Sequence, residues 1–472
     1  MNSNHDNIAY EINKSKESFL YKKLEDLINE DLSRDQCKEI ICKTEKSTSE
    51  SQSIEAHLNE RIKGQKDMIH TILLALVINE HVLLEGLPGV GKTIMIEAAS
   101  EAMGLPFQRV QFIPDMLPSD LIGRDYLDPV LLQQGNQDAI KWINGPLFAS
   151  MVLADEINRA PSKVQAALLE AMGEQQITPF GKTKRMVRSP IHEAAIRVWY
   201  EKKDKGLFNL RTIDPNEINC IQFNVFATMN PIEQEGTYPL SEAQLDRFCF
   251  KVNVDYPKID FYSDIIDSVY EHEEKPVKPN VIYGQGHLKQ YYEYFQKNEE
   301  DMKPVLAPLY FFMKCRDHIF GHYQDNKSTT LWNELKDHPG KYLEKIFDLI
   351  YFSSYKDFKD HPDCKTETYQ DKKNHFIKVN YKKRKDKRNY SDFPQYLKYV
   401  KTGASPRGFI KLTKAVLGDM LISEDNDISI YVKKNAYNIL NHRIRLDVKA
   451  RLKGITTLDI IDSLCETILK KG

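Results

Sequence analysis

The stretch that decides the fold is HVLLEGLPGVGKTIMIEAASEAMG, His81–Gly104. It opens with a short apolar run, which predicts a buried strand, and it closes with a helical pattern that ends before Gly104, where glycine suits a helix C-cap. Between them, GLPGVGKT (Gly86–Thr93) matches the phosphate-binding pattern G-x-x-x-x-G-K-[ST]. Because a strand precedes this loop and a helix follows it, we predict that the loop binds the phosphates of a nucleotide.

The chemistry of phosphate binding explains the residues of this loop. Glycines let the backbone wrap closely with its N–H groups turned inward, and those donors, with the helix N-terminus, attract a polyphosphate. The Lys92 ammonium would contact the β and γ phosphates, and the Thr93 hydroxyl would coordinate Mg²⁺. We therefore predict ATP and Mg²⁺ as ligands, with nucleotide-binding residues Gly86, Pro88, Gly89, Val90, Gly91, Lys92, Thr93 and Ile94.

A pair of carboxylates follows a second apolar run, MVLADE, Met151–Glu156. We predict that Asp155 belongs to the Mg²⁺ shell and that Glu156 orients and polarises the attacking water. An apolar run followed by two acids is common by chance, but ligands of open α/β sheets bind at strand ends beside such a loop. The two motifs together therefore predict one site for ATP hydrolysis.

Short apolar strands alternate with helical patterns over the first half of the chain. Besides the strand before the loop, strands are expected at Gln108–Ile113, Met151–Ala154 and Gln222–Thr228. This alternation predicts an α/β fold with a parallel sheet covered by helices on both faces. Beyond Tyr256 the pattern is helical, and Val432–Arg445 and Leu458–Lys470 are expected as helices.

Composition excludes several classes of protein. The chain has 472 residues, 41% hydrophobic and 28% charged, with a net charge of -2, which is ordinary for a globular protein and gives no overall signal for nucleic acid. Its longest apolar run, Ile72–Ile78, is too short to span a membrane, and the polar N-terminus lacks a secretory signal. We expect a cytoplasmic protein whose seven cysteines are reduced thiols, since no CxxC pair occurs.

Several blocks resemble the MoxR family of AAA+ ATPases and keep that family's order. They are QFIPDMLPSDLIG (Gln111–Gly123), GPLFASMVLADEINRAPSKVQAALLEAM (Gly145–Met172), ATMNPIEQEGTYPLSEAQLDRF (Ala227–Phe248), GASPRG (Gly403–Gly408) and the stretch Ile439–Ile468. The resemblance implies an AAA+ αβα wedge with an all-helical lid, assembled as a hexamer with ATP between neighbouring subunits. It also implies a sensor-1 role for Asn230, an arginine-finger role for Arg247 towards the neighbour's ATP, and a sensor-2 role for Arg407 on the lid.

The family pattern divides the chain into three predicted segments. Residues 1–52 would form a helical N-terminal extension and linker, 53–256 the nucleotide-binding domain with an insert at about 186–219, and 257–472 the lid with a basic insertion at about 316–394. Within the extension, Ser33 and Gln36 have capping-box spacing and predict a helix through Cys42.

Two regions leave alternatives open. Ile177–Val187 fits a β-hairpin that points towards the ring's pore, and the insert after it carries Trp199 and Tyr200, which could grip a polypeptide or pack the insert's own core. We favour packing. The lid insertion mixes aromatics with the cations Lys372, Lys373, Lys378, Lys382, Lys383, Arg384, Lys385, Lys387 and Arg388. Such a run could bind single-stranded nucleic acid or an acidic protein, and we favour a solvated surface.

Three functions remain in competition. The first is a chaperone-like ATPase that remodels a protein client; the family often works with von Willebrand factor A domain proteins, whose DxSxS motif is absent here, so a separate partner is implied. The second is a nucleic-acid motor or loader that uses the basic insertion. The third is a scaffold that binds ATP without turnover, against which the joint presence of Asp155, Glu156, Asn230 and Arg247 argues.

Overall fold

A computed structural model describes most of the chain. It covers residues 2–25, 27, 32–42, 53–86, 89–127, 133, 140–178, 184–185, 190–205, 222–230, 237–256, 259–261, 285–321, 330–354, 399–423 and 427–469. The chain divides into two compact units, Met1–Asp337 with Lys414–Tyr431, and His338–Thr413 with Val432–Gly472. The predicted domain boundaries at residues 53 and 257 stay predictions.

The described strands and helices are numbered here in chain order. The strands are β1 Val82–Gly86, β2 Phe107–Gln111, β3 Gly123–Leu127, β4 Ile140–Asn144, β5 Met151–Asp155, β6 Gln176–Ile177, β7 Lys184–Arg185, β8 Asn224–Met229, β9 Phe250–Val254, β10 Val400–Thr402 and β11 Arg445–Leu446. The helices are α1 Asn2–Glu17, α2 Phe19–Leu24, α3 Arg34–Ile41, α4 Ile54–Arg61, α5 Lys66–Ile78, α6 Lys92–Met103, α7 Pro118–Ile122, α8 Ser162–Glu174, α9 Pro190–Lys203, α10 Glu242–Leu245, α11 Gln285–Lys297, α12 Met302–Phe320, α13 Leu331–Asp337, α14 Tyr342–Ser354, α15 Pro406–Ile422, α16 Ile428–Leu440, α17 Val448–Leu452 and α18 Thr457–Leu469.

A five-stranded parallel sheet forms the centre of the first unit, in the order β2-β5-β8-β1-β9. The predicted α/β fold is therefore confirmed, and four of its strands are those expected from the sequence. The fifth, β9, was not predicted. It lies at the sheet edge, only its end residues Phe250 and Val254 are buried, and its sequence FKVNV lacks the continuous apolar run of the central strands.

Helix α8 covers one face of this sheet. Its residues Val164, Leu168, Ala171 and Met172 are buried in one core with the strand residues Leu83, Val152, Ala154, Val225 and Ala227. These helix positions are three or four residues apart, which places them on one face. These four residues of α8 therefore pack against the sheet.

The N-terminal helices pack as part of the first unit. Helix α3 begins with the predicted capping box, in which the Ser33 hydroxyl accepts the Gln36 N–H and the Gln36 side chain accepts the Ser33 N–H. Ile8 and Ile12 of α1 are buried in a core that also contains Tyr291 and Phe295 of α11. The described residues of this segment form helices α1, α2 and α3, and the apolar face of α1 is covered.

The described part of the insert after the hairpin, residues 190–205, contains helix α9, which lies in the same core as α1 and α11. Ile191, Ala194, Ala195 and Val198 are buried there. Trp199 is 2% exposed, and its ring meets that of the half-buried Tyr200 edge to face, with centroids 5.4 Å apart. Packing, rather than an exposed grip, is therefore the role of Trp199 in this chain.

Among the described residues, three antiparallel pairs lie outside the main sheet, and β3 with β4 is the first of them. The pair β6–β7 joins Gln176 with Arg185 and Ile177 with Lys184, which confirms the predicted hairpin; its tip lies outside the described residues. In the second unit, β10 pairs with β11. The expectation of a helix reaching Arg445 was wrong, because α16 ends at Leu440 and Arg445 pairs with Thr402.

Three further expectations concern the basic lid insertion, the cysteines and membrane-spanning helices. The named cations of the lid insertion lie outside the described residues. Five cysteines, Cys37, Cys42, Cys249, Cys315 and Cys465, are buried free thiols. Within the described ranges, none of the helices is long and apolar enough to cross a membrane.

Candidate functional site

The phosphate loop lies between the end of β1 at Gly86 and the start of α6 at Lys92. A Cβ on Gly86 would lie 2.3 Å from the Val254 carbonyl oxygen, so only glycine fits beside β9. Gly89 and Gly91 have φ of +79°, and a Cβ on either would meet nothing within 4 Å. Glycine is required at these two positions for backbone conformation, and the space beside them is open.

The remaining loop residues take different positions. Val90 is buried at 5% exposure, Thr93 is half-buried in the first turn of α6, and Ile94 points outward at 61% exposure. Pro88 lies outside the described residues. Of the predicted nucleotide-binding side chains, Thr93 and Lys92 are thus the polar ones at the helix start.

The Lys92 ammonium lies within the electrostatic field of both carboxylates of the second motif. Its Nζ donates a hydrogen bond to the Gly86 carbonyl at 2.8 Å. Burial lowers the pKa of Lys92, and the negative charges of Asp155 and Glu156 oppose that shift. The three groups that the sequence predicted for phosphate, metal and water are therefore brought together.

Strand register explains why these groups meet. The strands β5, β8 and β1 are neighbours, with Ala154 opposite Ala227 and Ala227 opposite Leu83. Asp155 ends β5, Asn230 follows the last residue of β8, and the phosphate loop follows β1. Because the three strands are parallel, all three groups lie at the carboxyl edge of the sheet, where open α/β sheets bind ligands.

One hydroxyl connects the two carboxylate residues. Thr228 Oγ1 donates to Asp155 Oδ1 at 2.6 Å and accepts the Glu156 backbone N–H at 2.8 Å. Arg109 Nη2 donates to the other Asp155 oxygen at 2.7 Å. The Asp155 carboxylate is therefore fixed from both sides by neighbouring strands.

The Glu156 side chain is positioned by its backbone and by two donors. Its φ of +57° is a left-handed conformation that non-glycine residues rarely adopt, and it turns the chain sharply after β5. Gln111 Nε2 donates to Glu156 Oε2 at 2.7 Å, and Arg159 Nε lies 3.1 Å from the same oxygen. These contacts hold the Glu156 carboxylate at the carboxyl end of the strands. An attacking water that bonds to Glu156 would share the carboxylate with them.

Arg247 lies at the opposite end of the strands from the phosphate loop of its own chain. It precedes Phe250, which opens β9 opposite Val82, whereas the loop follows Gly86 at the other end of β1. Five strand residues separate the two ends by about 13 Å. The Arg247 guanidinium donates to the Leu169 carbonyl of α8.

Arg407 belongs to the second compact unit. It is the second residue of α15, directly after Pro406. Its sensor-2 role stays a prediction from the family resemblance.

Comparison with known proteins shows what the nucleotide-binding part of this chain is similar to. Residues 81–210 and 212–250 match the model of the ATPase family associated with various cellular activities (AAA). Over 226 residues the chain is 39% identical to Chaperone MoxR1 of Mycobacterium tuberculosis, covering 46% of this chain and 50% of that one. Protein MoxR of Paracoccus denitrificans is 32% identical over 212 residues, with coverage of 43% and 49%. In its nucleotide-binding part, the chain is therefore similar to AAA+ ATPases of the MoxR family.

Two further relatives extend this likeness. An uncharacterized protein of Bacillus subtilis, YeaC, is 39% identical over 210 residues, or 44% of this chain and 53% of its own. The crystal structure of a candidate ATPase from Cytophaga hutchinsonii aligns with a TM-score of 0.56 and 26% identity, over 88% of this chain and 93% of that one. The chain spans about half the length of the curated relatives it matches.

The donor set of this site fits Mg²⁺. The described residues contain no cluster of three or more His, Cys, Asp or Glu side chains that could enclose a metal by themselves. Mg²⁺ commonly binds through one or two protein oxygens together with water and phosphate oxygens. Asp155 and Thr93 are oxygen ligands of that kind, and they would share the metal with the substrate's phosphates.

Sequence reasoning missed the residues that hold the acids in place. Thr228, Arg109 and Gln111 make those contacts, although none belongs to either motif. Arg109 and Gln111 are two residues apart on β2, and the strand register places Gln111 opposite Asp155. The period of two along that strand was the available signal, because residues i and i+2 share one face of a sheet.

Proposed function

We propose that this chain hydrolyses ATP in a Mg²⁺-dependent reaction at the carboxyl edge of its parallel sheet. The observation that carries the proposal is the meeting of Lys92, Asp155 and Glu156 beside an open glycine loop. A lysine and two acids that serve only packing would not need left-handed glycines next to them, nor a strained Glu156 backbone.

Each residue has a defined task in that reaction. The loop N–H groups and the start of α6 receive the phosphates, and Lys92 moves its ammonium from the Gly86 carbonyl to the phosphate oxygens. Glu156 accepts a hydrogen bond from the attacking water and orients it towards the γ-phosphate, and the Asn230 amide contacts the γ-phosphate or the same water. Mg²⁺, when bound through Asp155 and Thr93, offsets negative charge on the phosphate oxygens.

The position of Arg247 supports a ring. Since Arg247 lies at the amino edge of the sheet, it is far from the phosphate loop of its own chain. An arginine finger at this place would act on ATP bound to a neighbouring subunit, and we propose a hexamer in which Arg247 does so. Arg407 would contact the nucleotide from the lid of the ring.

We further propose that the ring remodels or activates a protein partner. Support comes from the relative named Chaperone MoxR1, which shares the nucleotide-binding part of this chain. A von Willebrand factor A domain protein is a candidate partner through the family resemblance. The rival role as a nucleic-acid motor depends on cations outside the described residues.

Hydrolysis is tested by phosphate release from the purified chain and from Glu156→Gln and Lys92→Ala variants. We expect Glu156→Gln to bind ATP but to hydrolyse it at least about a hundredfold more slowly, and Lys92→Ala to lose affinity for ATP. Glu39→Gln, which removes an exposed carboxylate on α3, is the matched control and should keep the wild-type rate. No phosphate release from the wild-type chain, with or without a partner, would favour a nucleotide-gated scaffold.

The partner is tested separately with the same hydrolysis-blocked chain. Glu156→Gln, loaded with ATP, should retain its client in a pull-down that is read by mass spectrometry. Recovery of this chain alone would argue against remodelling and would leave the hydrolysis result intact.

A further inference from the structure

A groove in the second unit carries an excess of positive charge. Its lining includes Lys401 of β10, Arg445 of β11, Asp447, Val448 and Arg451 of α17, and Thr456, and its volume is about 860 Å³. We call this surface the basic groove. Its volume is within the range of about 300–1,000 Å³ in which pockets hold molecules larger than a single ion.

Cations outnumber acids among the residues that line the basic groove. Lys401, Arg445 and Arg451 are all exposed, and the single acid of the lining is Asp447. The Asp447 carboxylate already caps α17, where it accepts the Ala450 N–H at 2.8 Å. Within the described part of the chain, Lys401 and Arg451 make no ion pair, so the groove offers cations to an incoming anion.

One exposed aliphatic side chain, Val448, lines the groove, and Leu452 lies outside the lining on the same short helix. Val448 is 72% exposed and Leu452 is 82% exposed. They are four residues apart on α17 and therefore share one face of that helix. Together with the cations, they form a surface that is both positive and apolar.

We propose that the basic groove binds an acidic segment of a protein partner, with an aliphatic side chain placed among its carboxylates. Carboxylates would pair with Lys401 and Arg451, and the aliphatic group would cover Val448 and Leu452. A nucleic acid fits less well, because none of the residues that line the groove is aromatic. Sequence-tolerant binding of single strands relies on aromatic side chains on which bases stack.

This inference rests on the proposed remodelling function, because it names the chemistry of the partner on which the ring would act. Binding at the groove needs no ATP, however. Measuring it in the absence of nucleotide therefore separates its failure from failure of the ATPase proposal.

The experiment uses the full chain and a fluorescein-labelled peptide of about ten residues. The peptide carries two leucines among glutamates. The leucines are four positions apart, which is the spacing of side chains on one face of a helix. Fluorescence anisotropy is measured without nucleotide over a range of salt concentrations. Two comparison peptides replace the leucines by serine or the glutamates by lysine. A thymidine oligonucleotide of matched length is the competitor.

Two charge-reversed variants make the test specific. Lys401→Glu with Arg451→Glu reverses two of the three cations of the groove, and Lys163→Glu with Lys297→Glu makes the same change in net charge at exposed sites of the first unit. Thermal unfolding confirms that both variants are folded. Leu452→Ser tests the apolar contact alone.

The expected result is saturable, salt-sensitive binding of the leucine–glutamate peptide, weakened about tenfold or more by Lys401→Glu with Arg451→Glu and less than about twofold by the control pair. Leu452→Ser and the serine peptide should each weaken binding several-fold. Absence of binding, equal binding by both charge-reversed variants, or preferential binding of the oligonucleotide would each overturn the proposal.

Discussion

Thr228 is the residue whose replacement tests the geometry of the site most directly. It is 2% exposed, and its hydroxyl bonds both to the Asp155 carboxylate and to the Glu156 N–H. Valine has almost the same shape but deletes both bonds. A hydrogen bond to a charged group contributes about 1.5–3 kcal/mol, and an unsatisfied donor costs about 1–3 kcal/mol. Thr228→Val should therefore cost about 2.5–6 kcal/mol, divided between folding and catalysis.

The catalytic share is measurable as a rate. If about 1.4–2.3 kcal/mol falls on the transition state, kcat for ATP hydrolysis decreases about 10- to 50-fold. Phosphate release gives kcat, a fluorescent ATP analogue gives nucleotide affinity, and urea unfolding gives the free energy of unfolding. We expect affinity to change less than kcat, because Thr228 makes its bonds to the acids and not to the loop.

Thr228→Ser is the control, since serine keeps the hydroxyl and loses only a methyl group. Its kcat should return to within about threefold of wild type if the hydroxyl is what matters, because side-chain packing alone changes little at this site. A valine variant with normal kcat would refute the reasoning. So would a serine variant as slow as the valine variant, since the methyl group would then be responsible.

Three further variants test other parts of the account. Arg247→Ala should retain ATP binding but lose turnover by about 10³-fold or more, as phosphate release and nucleotide titration would show, and near-normal hydrolysis would remove Arg247 from the site. Gly86→Ala places a Cβ 2.3 Å from the Val254 carbonyl oxygen, so urea unfolding should show a loss of about 1–3 kcal/mol; an unchanged midpoint would contradict the close approach of β1 to β9. Trp199→Ala removes a buried ring and should lower the free energy of unfolding by about 3–5 kcal/mol; a neutral result would mean that the insert packs differently.

The sequence predicted the centre of the fold better than its margins. Strands β1, β5 and β8 lie inside the sheet, and each contains a run of at least three consecutive apolar residues, which makes its pattern clear. The edge strand β9 alternates, and its Lys251 pairs with Glu85 of β1 at 2.8 Å, a contact that only the folded register reveals. Strand β3 of the hairpin β3–β4 is largely exposed, so no apolar run in the sequence predicts it.

The same limit applies to the site. Lys92, Asp155 and Glu156 were found because their motifs encode local chemistry. Thr228 and Arg109 act through strand register, which joins residues that are distant along the chain. Arg445 was misplaced in a helix for a related reason, because its strand forms by pairing with β10 and not by local preference.

The covered core around α9 has a practical consequence for anyone who divides this chain. Ile8 and Ile12 lie on the apolar side chains of α9 and α11, including Val198 and Phe295. A fragment that begins at residue 53, the predicted domain boundary, would expose the apolar side chains of α9 and α11 to water. We expect such a fragment to aggregate, whereas one that retains α1 and α2 should stay in solution.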